Sequence, residues 1–292
     1  MSRTHFTVPR LLLSGEALLG ITRHPREHTL EVKRRYDNGA ALAAALSLAL
    51  DRGADGVLFT PSATVREALG GLSRRVPTWA VVPNVPQFAR DSAELGLPGA
   101  ALKRLRGASP ITFARIGLTG AGHVLEVLKN DIGGMAPVLI ELEIASLGAR
   151  DLHGVVMAST LTDLALAARH RRFFSHVVDF VRSRFGVQAG FETHNPGWLL
   201  GALREWDVRP DLVVGPLNPM GFMMKPDPAR TLREIAAARF PLVAKELTAG
   251  GANPLAVGAA YARAHGAQGL AIDLADLDPD MGGLTALGEA GG

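Results

Sequence analysis

A (β/α)₈ barrel is the fold this sequence predicts, on three observations. Short apolar runs recur along the 292 residues, and nearly all lead into a helix-forming stretch. Turns rich in Gly, Pro and Asn separate them, and the units number eight, as a closed barrel of this class needs. The alternative is a doubly wound sheet, but no apolar run is followed by GxGxxG or by GxxxxGK with Ser or Thr.

Near the N-terminus, Thr7–Leu13 and Ala17–Thr22 flank Ser14-Gly15-Glu16, and either segment suits the first strand; the count takes residues 17–22. A polar connection, Arg23–Asn38, leads to Gly39–Arg52, a strong helix former ended by Gly53. The second strand is expected at 57–60, with Pro61-Ser62 opening the helix Ala63–Leu72, and the third at 78–82. The fourth falls at 155–158. After it Ser159 or Thr160 caps one long helix to about Phe185, and Thr160-Leu161-Thr162-Asp163 reads as a capping box. Strands at 187–191, 211–216, 240–245 and 269–273 complete the set, with helices from Asn195-Pro196, Pro228 and Pro254.

One stretch breaks the rhythm. Residues 85–152 separate the third and fourth strands, with helices expected at 86–95, 98–106 and 109–130 and with Pro137–Leu147 as helix or strand. The chain therefore reads as a single barrel domain, 1–292, with a helical insertion beside the mouth that suits a lid or an oligomer contact. Placing Pro137–Leu142 as a barrel strand instead would shift the register by one unit.

Composition narrows the function classes. With 47% hydrophobic and 20% charged residues the chain has the make-up of a soluble globular protein. The absence of cysteine excludes disulfides, thiolate metal sites and cysteine nucleophiles. The net charge is +3, but the basic clusters (Lys33–Arg35, Lys103–Arg106, Arg169–Arg172, Arg182–Arg184) are scattered and aromatics are 5%, so no nucleic-acid surface is expected. The apolar run Leu11–Leu19 is too short and too polar to span a membrane. A cytoplasmic protein with a small-molecule substrate follows, compatible with a homo-oligomer.

The chemistry of such a barrel sits where strands end. Phe240–Pro254, FPLVAKELTAGGANP, is the most informative stretch: a doubly buried strand ending on Lys245-Glu246, then a Gly250-Gly251 turn and a helix start. A lysine in a buried strand is costly unless paired, neutral or reactive. Alternation puts Lys245 and Glu246 on opposite faces, so one of them points inward. The remaining strand ends and loops offer Arg23, His24 and His28, then Thr60, Ser62, Asn84, Ser159, Glu192 and His194, and finally Asn218 and Asp273. Met220, Met223 and Met224 suit an apolar pocket or loop packing.

From Gly190 onward the chain resembles a loose group of uncharacterised bacterial TIM-barrel proteins. The resemblance lies in FETHNPGWLLGALREWDV, DLVVGPLNPMGF, PLVAKELTAGG and the following NP…YARAHGAQGLAID. Some members are grouped with aldo-keto-reductase-like barrels. The resemblance implies the fold; tyrosine occurs only at Tyr36 and Tyr261, and no Asp/Tyr/Lys/His reductase tetrad is arranged here.

Three chemistries follow. In the first, a class I aldolase-like lyase or isomerase acts on a carbonyl compound, with or without a phosphate. There a dry barrel lowers the proton affinity of Lys245 and makes it a Schiff-base nucleophile, or Lys245 serves as an anion anchor. Glu192 and His194 carry protons, and Arg23, His24, Asn218 and Asp273 place the substrate. Gly250 and Gly251 hold an anion at a helix start. No cofactor is needed. In the second, Glu192, His194, Glu246 and Asp273 bind a divalent metal ion for isomerisation or hydrolysis. In the third, the barrel is non-catalytic and its insertion serves assembly or partner binding, Lys245 is locked in a salt bridge, and apolar side chains block the mouth.

Overall fold

The computed structural model describes residues 6–104 and 132–289. Eight parallel strands close into a barrel in chain order. They are β1 Leu11–Ser14, β2 Gly56–Phe59, β3 Thr78–Val82, β4 Leu152–Met157, β5 Gln188–Glu192, β6 Leu212–Pro216, β7 Leu242–Lys245 and β8 Gly269–Asp273. β1 closes on β8 from Leu11 opposite Leu270 to Ser14 opposite Asp273. The fold is a (β/α)₈ barrel, with the first strand one segment earlier than 17–22. Leu11, Leu12 and Leu13 fill both faces of a doubly covered strand, and Ser14-Gly15-Glu16 is its C-terminal end. Ala17–Thr22 instead holds most of a single helical turn, α1 Glu16–Leu19, closed by Gly20 in the left-handed conformation.

The remaining helices are α2 Arg26–Arg35, α3 Gly39–Asp51, α4 Ala63–Gly71, α5 Val85–Arg104, α6 Ile132–Leu147, α7 Ser159–Ala167, α8 Arg171–Phe185, α9 Pro196–Glu205, α10 Pro228–Ala237, α11 Leu255–Ala264 and α12 Gly282–Glu289. The long helix expected after β4 is two. Arg169 has φ 49°, which stops α7, and the His170 ring accepts the Phe173 amide to start α8. α8 then packs Phe173, Phe174, Val177, Val178 and Val181 inward at helical spacing. α7 starts after Ala158 with no side-chain cap, so Thr160–Asp163 does not act as a capping box.

Between β3 and β4 the described residues hold the helices α5 and α6. α5 breaks at Gly96 (φ 70°, ψ 167°), between the two helices expected there. Pro137–Leu147 is helical, within α6, so the strand register is not shifted. The helix expected at 109–130 lies outside the described residues.

Two apolar layers build the molecule. The outer one lies between strands and helices. The inner one fills the lumen with Leu12, Leu58, Trp79, Val81, Val156, Leu212, Val214, Val243 and Ala271. Trp79 plugs the floor, its indole N–H donating to Gln188 Oε1 at 2.6 Å. A Cβ at Gly154 would lie 2.3 Å from Trp79 Cδ1, so β4 needs glycine to admit the indole. With the floor closed, the lumen opens at the C-terminal mouth. Among the described residues, no helix is long and apolar enough to cross a membrane.

Candidate active site

Lys245 follows Val243 in the period-2 pattern of β7 and so points into the lumen. It is 4% exposed. Its ammonium donates to Glu16 Oε1 at 2.5 Å and Glu192 Oε1 at 2.9 Å. Glu16 comes from the end of β1 and Glu192 from the end of β5, so the three groups bridge the mouth. Burial alone would lower the lysine's proton affinity. Glu16 and Glu192, with Glu246 close by, reverse that and drive the Lys245 pKa upward. Two carboxylates at hydrogen-bond distance thus favour the protonated lysine over the deprotonated one expected of a dry barrel. Glu192 is buried too, yet Lys245, aided by the Ser159 amide 3.3 Å away, holds its pKa below the usual carboxylate value.

Glu246 does not follow the alternation. Its φ is 54°, a left-handed backbone that turns its carboxylate back toward the mouth instead of outside the barrel. Both Lys245 and Glu246 therefore reach the mouth. The nearest cation atom on Glu246 is Arg23 Nε at 3.9 Å, and burial pushes the Glu246 pKa up to about 7.

His194 lies two residues beyond β5 and lines the mouth cavity. Its amide donates to Asp163 Oδ2 at 3.0 Å, and its Nδ1 is 3.8 Å from the same oxygen. Nε2 is buried with no hydrogen-bond partner among the described residues. Burial, and then the Lys245 cation, lower the pKa of the ring, which keeps the imidazole neutral.

The cavity over these groups has a volume of about 270 Å³. Leu19, Leu58, Val81, Pro83, Val85 and Pro86 give it apolar walls, and Arg23, Thr60, Asn84 and Ser159 add polar groups at its edge. The mouth is open, so it is not blocked by apolar side chains. A larger cavity of about 740 Å³ lies outside the barrel against Trp198 and Arg230; it shares Asp163 with the back of the His194 loop and holds none of the mouth carboxylates.

Several expected substrate groups are committed to the protein instead. The Asn218 side-chain amide donates to the Phe222 and Glu246 carbonyls, and its oxygen accepts the Phe222 amide. Fully buried, it staples the β6 loop to β7. Asp273 accepts the amides of Glu16, Ala17 and Ala275, which fixes the turn that carries Glu16. Its buried carboxyl is pushed up to about 7, by desolvation and then by Glu16. Gly250 and Gly251 do not stand at a helix start. Gly251 N–H donates to Thr248 Oγ1, and α11 begins only at Leu255. A Cβ at Gly250 would lie 2.6 Å from the Arg23 carbonyl oxygen, and one at Gly251 3.0 Å from His24 Nδ1. The glycines let the β7 loop clasp the β1 loop.

That clasp brings His24, and His28 in the first turn of α2, against the residues that follow β8. His24 Nε2 meets Asp276 Oδ1 at 2.7 Å, Thr248 donates to the same oxygen, and His28 reaches the Ala275 carbonyl. The Asp276 hydrogen bond raises the His24 pKa. Of the methionines, Met224 is buried and Met220 is 62% exposed; neither they nor Met223 line the mouth. Glu192, His194, Glu246 and Asp273 do not converge. Among the described residues no group of three or more metal-ligating side chains is placed to hold an ion.

Two residues that contact the mouth groups escaped the sequence reading. Glu16 sits just past Leu11–Ser14, and treating that run as a strand would have exposed it. Asp163 had the local look of a helix cap, and nothing in its spacing points to the β5 loop.

The fold and mouth define a (β/α)₈ barrel with an ammonium–dicarboxylate centre. No protein-family model matches the chain, and no curated protein matches it. Among solved structures, one titled "QR15, an Aldolase" is similar over 87% of this chain and 89% of its own, at 14% identity and a TM-score of 0.43. A likeness that distant has no bearing on the reaction.

Proposed function

We propose that this barrel is a small-molecule enzyme of the lyase or isomerase type, acting on a carbonyl compound through an enolate. One observation carries the reading. An ammonium has three N–H donors; two on Lys245 go to Glu16 and Glu192, and the third has no partner among the described residues, beside an open cavity. A carbonyl oxygen there gains a fixed positive charge in a dry site. His194, neutral and on the cavity wall, takes a proton from the carbon next to the carbonyl, and the electron pair moves onto the oxygen facing Lys245. Returning the proton to another atom completes an isomerisation. Taking it from a β-hydroxyl instead breaks the Cα–Cβ bond and leaves the same enolate, a lyase reaction.

A second reading rests on the 2.5 Å contact between Lys245 and Glu16. Passing a proton to Glu16 frees the amine to attack the carbonyl carbon as a Schiff-base nucleophile. The test is deuterium exchange next to the carbonyl in a panel of small aldehydes and ketones, run with and without borohydride. Exchange that disappears in Lys245→Met, with no borohydride adduct, supports the ammonium anchor. An adduct on Lys245 found by mass spectrometry supports the imine. No exchange and no adduct across the panel counts against both.

A further inference from the structure

We infer that Asp163 is the positioning residue of His194: it selects the ring tautomer that carries its proton on Nδ1 and leaves the lone pair on Nε2. Asp163 stands on α7, outside the strand ends, and its carboxylate grips the β5 loop at successive points. One oxygen accepts the Thr193 hydroxyl. The other accepts the His194 amide at 3.0 Å and lies 3.8 Å from Nδ1. Thr193 Oγ1 in turn accepts the Asn195 amide at 2.8 Å, so the turn around His194 is held on both sides. An anion beside Nδ1 favours the tautomer with the proton there. Beyond burial, Lys245 lowers the proton affinity of the ring, and Glu192 and Glu16, which hold the lysine in place, raise it.

The inference assumes that His194 is the base of the proposed reaction, but its first readout needs no substrate. Long-range proton–nitrogen NMR on protein carrying isotope-labelled histidine reads the tautomer directly, with His194→Gln assigning the resonance. The expected result is the Nδ1–H form in the wild type, a shift toward Nε2–H in Asp163→Asn, and recovery of the Nδ1–H form in Asp163→Glu. With a substrate found in the exchange panel, Asp163→Asn should lower the rate by about 10- to 100-fold at little change in KM. The double variant with His194→Gln should then be no slower than His194→Gln alone. A folded Asp163→Asn protein with an unchanged tautomer overturns the inference, and so does a wild type already in the Nε2–H form. Should no compound in the panel exchange, the enolate reading fails while the spectrum still decides the role of Asp163.

Discussion

Lys245 ties three strand ends together, and its worth lies in what its removal would leave behind. Glu16 and Glu192 would face each other across the mouth with no cation between them, Glu192 at 8% side-chain exposure. Breaking a buried pair from one side costs about 3–5 kcal/mol, because an uncompensated charge is left buried. Lys245→Met is therefore predicted to lose about that much in urea unfolding at neutral pH. Most of the loss should return as acid protonates Glu192, whose depressed pKa exists only while the ammonium is there. An equal loss at both pH values would mean that packing, and not charge, is what the lysine supplies. The sequence shows a lysine at the end of a buried run and so the need for a partner. It cannot show which partner, because Glu16 is 229 positions away and a contact that distant leaves no local trace. The tool of local inference, alternation, also failed for Glu246, where a positive φ replaces the extended backbone the rule assumes.

At the scale of elements, the mouth depends on loops held in unusual conformations. Glu246 at φ 54° is kept there by Asn218, which donates to its carbonyl, and by the Ala249 amide, which does the same. A left-handed backbone suits glycine and costs any other L-residue about 1 kcal/mol. Glu246→Gly is thus predicted to be more stable than Glu246→Ala by about 1 kcal/mol, the reverse of the order in an ordinary strand or helix. Ala equal to or above Gly in urea midpoints would show that the loop relaxes away from this φ. The barrel floor makes a similar demand: Gly154→Ala must push Trp79 off Gln188, an overpacking expected to cost about 1–3 kcal/mol. The regular elements were legible because apolar runs and helix formers are local. Seven strands fall within a few residues of their expected places, and the first was displaced only because Ser14-Gly15-Glu16 looked like an interruption and is an end. The pieces that were not legible, the split between α7 and α8 and the clasp of the β7 and β1 loops, depend on a backbone angle at Arg169 and on contacts across the mouth.

For the whole molecule, the mouth sets how stability follows pH. Glu246 and Asp273 have pKa values raised to about 7 in the folded barrel. Between about pH 4 and 7 the folded state therefore keeps protons that the unfolded chain has released, so stability falls as pH rises through that window. His24, with its raised pKa, acts in the same sense: its contribution is complete below the unfolded value near 6.5 and is lost as pH rises through the folded one. Glu192 and His194 act the other way. Glu192 contributes stability above about pH 4 and loses it in acid, and His194, neutral when folded, is favoured as pH rises toward about 6.5. The opposing slopes place maximal stability in mildly acid solution, with a decline toward pH 8. Glu246→Gln removes one declining group without altering the shape of the loop. It should gain about 2–3 kcal/mol relative to the wild type on going from pH 5 to pH 8, the size set by a shift of roughly two units. Urea unfolding of both proteins across that range measures it, and parallel curves would place the Glu246 carboxylate in water. The same proton links stability to the proposed chemistry. The Glu246 carboxylate lies among the groups that hold Lys245 protonated, so ionising it both weakens the barrel and strengthens the field that keeps the ammonium charged. Activity that depends on that ammonium should then persist at pH 8, where the fold has begun to lose stability.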